Sequence, residues 1–168
     1  MNGEYAALAG RLREALEDLE RVVEQTRKHW GVARATSDEA YWNSVALNLH
    51  GFYVGAERIC EDIAKTVDTS VPSGRSWHYD LLQQVSAEIT GVRPAVIQRE
   101  TRQCLDAYRE FRHIVRNVYT FNLRPARLDE LAAGLSACFD AVSHDLTEFA
   151  VFLDQVAQAD DDLSEESE

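Results

Sequence analysis

A chain of 168 residues with 45 % apolar content, three prolines and eight glycines is long enough to bury a real core and reads as one compact, mostly helical domain. Its net charge of −12 argues at first sight against nucleic acid, and no apolar run approaches the roughly 20 residues needed to cross a bilayer. Glu4, Arg11, Arg13 and Glu14 interrupt any early hydrophobic stretch, so no secretory leader is expected.

From about Glu4 to Ala33 the residues Leu8, Leu12, Ala15, Leu16, Leu19, Val22 and Val23 recur at spacings of three and four. That period predicts a long amphipathic helix, supported by Glu17 four residues before Arg21. Thr36, Ser37 and Asp38 offer N-caps for a second helix over about 38–67. Its middle, Val45 to Ala56, is apolar on most sides, which marks a central element. Gly51 and Gly55 lie four apart there and leave room for a neighbour to approach.

Residues Asp68 to Gly74 form a turn-rich connection, followed by a short helix from about Trp77 to Ile89 and a break at Thr90–Pro94. A fourth helix is predicted from about Ala95 to Thr120, stopped before Asn122 and Pro125. The last helix, about Ala126 to Val156, carries the stripe Leu128, Leu131, Leu135, Cys138, Phe139, Val142, Leu146 and Phe149. The expected domain therefore spans 1–157 as an all-α, antiparallel up-and-down bundle of about five helices. Residues 158–168 are acidic and poor in apolar content, and a disordered tail is expected there.

Cys60, Cys104 and Cys138 are odd in number, far apart and fall among apolar helical positions, so buried free thiols in a reducing cytoplasm are expected. His29, His50, His78, His113 and His144 show no i,i+4 pairing and no company of cysteines, which speaks against structural zinc. Glycine-rich phosphate loops and nucleophile elbows are absent from the sequence. Trp42, Tyr53, Trp77 and Tyr79 could stack on bases, although aromatic residues at helical spacing are more often core.

The charge is unevenly spread. Asp160 to Glu168 hold six acids and no base, which leaves −6 for the rest of the chain. Between Arg93 and Arg127, eight arginines face Glu100, Asp106 and Glu110, a local excess of five positive charges. This permits a local phosphate site without long-range capture of DNA.

The arginine-rich segment coincides with the most informative stretch, Phe111 to Phe121. At about 100° per residue, Phe111, Ile114, Val115 and Val118 share one apolar arc. Arg112, Arg116 and Tyr119 line one edge of it, and His113 and Asn117 lie further round. Arginine binds phosphate oxygens bidentately, so the set suits an anionic ligand or a phosphodiester. An ordinary solvated face or an interhelical ion pair is the alternative.

The spacing from Arg112 through Asn117 to Tyr119 resembles the Arg-x-x-x-x-His-x-Tyr signature of the HepT-like branch of HEPN proteins. Here Asn117 stands where the nuclease motif has histidine. The helix around Asn48–Arg58, the turn Pro72–His78 and the segment Phe121–Pro125 resemble the same family, and the likeness runs from about residue 5 to 155. It implies the toxin of a toxin–antitoxin pair, cytoplasmic and neutralised by a minimal nucleotidyltransferase antitoxin. The implied activity is RNA cleavage without metal or cofactor, a 2′-hydroxyl attacking the adjacent phosphate. Such chemistry needs a base, a cation for the charge developing on phosphorus and a proton for the leaving oxygen.

On this resemblance Arg112 clamps the phosphate; Arg109 and Arg116, in the same arginine-rich segment, are candidates for binding RNA or phosphate. Tyr119 matches the motif tyrosine, a target for adenylylation by the partner antitoxin. Asn117 cannot take up a proton near neutral pH but can position a hydroxyl or a water. Three readings follow: a rewired ribonuclease with His113 as substitute base, a non-catalytic module that binds a nucleotidyltransferase or a nucleotide, and a plain structural dimer. A homodimer joined through the motif helix is expected, because twofold symmetry would double the functional groups of one cleft. RNA is the expected nucleic acid, with no DNA and no membrane among the partners.

Overall fold

The computed structural model describes residues 2–117 and 123–165. Five α-helices follow one another: α1 (Asn2–Thr36), α2 (Glu39–Ile63), α3 (Trp77–Ser86), α4 (Arg99–Asn117) and α5 (Pro125–Glu165). Among the described residues no strand forms; Ile89 and Arg93 make a single isolated bridge. The molecule is an all-α bundle, as the hydrophobic periodicity predicts. α5 continues past residue 157 into the acidic stretch and ends at Glu165. Among the described residues no helix is long and apolar enough to cross a membrane.

α1 and α2 are joined by two residues only, Ser37 and Asp38, which forces an antiparallel pair. Ser37 adopts a left-handed φ of 57° that closes α1. Of the cap candidates, Asp38 is the one used: its carboxylate accepts the backbone N–H of Ala40 at 2.9 Å. α2 is central and touches each of the other helices. It buries Val45, Leu49, Phe52, Tyr53, Ala56, Ile59, Cys60 and Ile63. Gly55 allows the close approach of α1, since a Cβ there would lie 2.7 Å from Leu19 Cδ2. Gly51 meets nothing within 4 Å and plays no such part.

After Ile63 the chain tightens into a π-helical turn, Ala64–Asp68, that ends at Thr69 in the left-handed region. The turn aims Asp68 inward at Arg93, and the pair has side-chain exposures of 2 % and 0 %. Arg93 donates to both carboxylate oxygens at 2.6 and 2.7 Å, and to the carbonyls of Ala87, Pro94 and Gln84. A buried charge is tolerated when its hydrogen-bonding capacity is filled in this way.

Several expectations need correction. α4 begins at Arg99, not Ala95, because the preceding N–H groups are committed elsewhere: Val96 and Ile97 donate to Val85, and Gln98 to the Asp145 carboxylate on α5. Cys104 and Cys138 are not free thiols; they form a disulfide between α4 and α5, with Cα atoms 5.8 Å apart. Packing of α4 against α5 brings them together across 34 positions, a separation with no local signature. Cys60 remains a buried free thiol. Tyr53 is wholly buried and cannot stack on a base. Ile114 is 43 % exposed, so the apolar arc of α4 is not all core.

Candidate functional site

α4 places Arg109, Arg112, His113 and Arg116 at spacings of three and four, so they form one ridge along the helix. Facing the ridge is the start of α3. Gly74, with φ of 95°, turns the chain there, and Arg75, Ser76, His78 and Tyr79 complete a cleft of about 570 Å³. Among the described residues four arginines and two histidines line this cleft, and none of the lining residues is a carboxylate. On a chain of net charge −12 that is a concentrated cationic site.

Behind the cleft α2 supplies a buried acid. Glu57 is 5 % exposed and its Oε2 lies 2.6 Å from His78 Nδ1. The other ring nitrogen, Nε2, is 3.1 Å from Arg112 Nη1. A guanidinium only donates, so Nε2 accepts, and the ring proton sits on Nδ1 and is donated to Glu57. The Trp77 ring lies over His78 with centroids 3.6 Å apart and fixes its plane. Arg112 Nη2 reaches Glu57 Oε1 only at 3.9 Å, and its buried Nε has no hydrogen-bond partner among the described residues. Arg112 is thus held in place yet short of acceptors, a state that an incoming anion would relieve.

His50 and Tyr53 share the α2 face with Glu57. The His50 imidazole is held below its ordinary value, first by burial and then by the charges of Arg112 and Arg116. Burial, then the charge of Glu57, pushes the Tyr53 phenol up. Arg109 is tied to Asp106 at 2.6 Å and lies over the Tyr79 ring at 5.5 Å. Tyr79 is 46 % exposed in the cleft, whereas Trp42 and Trp77 are partly buried against the core.

Of the residues singled out from the sequence, Arg109, Arg112, His113 and Arg116 come together in the cleft. Asn117 is the last described residue of α4, and Tyr119 lies outside the described residues. Glu57, His78 and Arg75 were missed as site residues. Glu57 carried a signal, an acid on the face of α2 otherwise occupied by Phe52, Tyr53, Ala56 and Cys60. His78 carried a weaker one, in the Pro72–His78 turn noted for its resemblance. Among the described residues no three His, Cys, Asp or Glu side chains gather where they could hold a metal ion.

A family model described as HepT-like protein matches residues 44–153, a stretch that contains Glu57, His78 and the whole α4 ridge. The chain belongs to the HepT-like protein family. No curated protein and no solved structure matches it. The matched stretch takes in α2 from Ser44, α3, α4 and most of α5, while α1 lies outside it. In this HepT-like protein the matched stretch holds both partners of the contact between Arg112 and His78.

Proposed function

We propose that this HepT-like protein is a metal-independent endoribonuclease, the toxin of a pair whose antitoxin is a minimal nucleotidyltransferase. The observation that carries the reading is the carboxylate-free cleft centred on Arg112 and lined by Arg75, Arg109 and Arg116. Arg112 clamps the scissile phosphate, and Arg109 and Arg116 hold the flanking backbone. His113 stands at the cleft beside them, and Asn117 and Tyr119 complete the motif. The active species is a homodimer joined through α4, where Ile114 offers an exposed apolar contact; light scattering should return twice the chain mass of 19.0 kDa, and a strictly monomeric mass would remove the composite cleft.

The test is cleavage of mixed-sequence RNA in EDTA. Wild type should cut weakly, and Arg112→Ala should be inert. Asn117→His should gain activity on the scale of base catalysis, about 10²–10⁴-fold, if the motif position is used. A second reading rests on Asn117 itself, which cannot accept a proton near neutral pH: a non-catalytic module that binds the nucleotidyltransferase. Inert wild type and inert Asn117→His, together with tight binding of that partner, would establish the second reading and overturn the first.

A further inference from the structure

We infer that His78, oriented by Glu57, is the proton acceptor of this cleft, and that Arg112 keeps it covered until a phosphodiester arrives. The inference rests on the ribonuclease reading and goes beyond its motif, which contains neither residue. Three observations converge on His78. Its Nδ1 is anchored on a buried carboxylate 2.6 Å away, its ring plane is fixed by Trp77, and its Nε2 lone pair is directed at the phosphate-clamping guanidinium. A buried carboxylate on one imidazole nitrogen fixes the tautomer and stabilises the imidazolium that forms when the other nitrogen takes a proton.

In the structure that lone pair is occupied by Arg112 Nη1. When a phosphate enters, its oxygens are stronger acceptors than an imidazole nitrogen, and the under-satisfied guanidinium turns towards them. Nε2 is then released beside the anchored phosphate, where a ribose 2′-hydroxyl lies. His78 Nε2 takes the hydroxyl proton, the 2′-oxygen forms a bond to phosphorus, and the bond from phosphorus to the 5′-oxygen breaks. The departing 5′-oxygen takes a proton from water in the cleft, and His78 later returns its own to solvent. The products are a 2′,3′-cyclic phosphate and a 5′-hydroxyl. Glu57 touches no reacting atom and is a positioning residue.

The charged and titratable groups that bond to His78 or line the cleft with it are Glu57 on α2, Arg75 before α3, Tyr79 on α3, and Arg109, Arg112, His113 and Arg116 on α4. The experiment measures cleavage of a labelled single-stranded oligoribonucleotide in EDTA from pH 5 to 9, with anisotropy on its 2′-O-methyl analogue as the binding control. His78→Asn should lower kcat by about 10²-fold or more and abolish the acidic limb of the profile while binding is kept. Glu57→Gln should lower kcat less with binding kept, and adding it to His78→Asn should cost no further rate; a merely structural acid would lower the rate of both backgrounds alike. If wild type cleaves and His78→Asn matches it in rate and profile, this assignment falls and the ribonuclease reading stands. If wild type and Asn117→His both yield no cyclic phosphate, the ribonuclease reading falls and takes the assignment with it. Should His78→Asn fail to fold, ¹⁵N-histidine spectra of wild type decide: the 2′-O-methyl strand must move the His78 Nε2 resonance, and an unmoved resonance overturns the inference.

Discussion

Asp68 and Arg93 meet as a bidentate pair, with Nε and Nη2 of the arginine 2.6 and 2.7 Å from the two carboxylate oxygens and almost no solvent on either side chain. The pair closes the segment between α2 and α4, and α3 with His78 is carried on the loop so closed. Removing one member of a buried pair leaves the other charge unpaired, which costs about 3–5 kcal/mol. Arg93→Leu should lower stability by that amount in urea unfolding, and Asp68→Asn by less, since its amide still accepts from Gln84. A loss of under about 1 kcal/mol in Arg93→Leu, the level of an exposed pair, would contradict the burial described.

Thiol counting tests the link between α4 and α5. Protein purified without reductant should show one reactive thiol when denatured, Cys60, and three after reduction. In the folded state Cys60 should stay silent at pH 8, because burial and then the charge of Glu57 push its thiol up to about 12. The bridge closes a loop of 34 positions, so Cys104→Ser should cost roughly 3–4 kcal/mol relative to the oxidised protein and nothing comparable relative to the reduced one.

His50 makes stability depend on pH. Its folded value is depressed, so the unfolded chain takes up a proton first as the pH falls through the ordinary histidine value of about 6.5. The stabilisation is complete above that value and is lost towards the lower folded one. Melting temperatures at pH 7.5 and 5.5 should differ more for wild type than for His50→Gln. Equal differences would show that burial beside Arg112 and Arg116 has no energetic weight.

The proposed antitoxin gives a fourth outcome. Tyr119 follows Arg112 by seven positions in the sequence, and a nucleotide monophosphate on its hydroxyl would set negative charge against the arginines proposed to receive RNA. Incubation with the cognate nucleotidyltransferase and ATP, then intact mass and peptide mapping, should find one adenylyl group on Tyr119 and loss of RNA binding. Modification confined to other tyrosines would exclude this mode of control.

The long helices α1, α2 and α5 were legible because each has a long apolar stripe, and even the cap at Asp38 was within reach of local rules. The start of α4 was not, since Asp145 stops it from 47 positions away. Distance also hid the cysteine pairing. For the site, the arginine ridge of α4 could be read as helical periodicity, but the cleft needs a second wall. Glu57 and His78 are 21 positions apart on different elements, and only packing makes them partners. Ile114 has the right residue type for core and the wrong neighbours, which composition alone does not reveal.

Gly55 and Glu57 sit two residues apart on α2 and therefore on nearly opposite sides of it. The first is pressed against Leu19, the second holds the cleft histidine. A rigid rod cannot shift on one side only, so the bare backbone at Gly55 acts as a shim that sets how deep the carboxylate stands behind the arginines. Sensitivity to substitution should accordingly extend to the rear seam with α1, a segment beyond the matched family stretch and out of sight of any substrate.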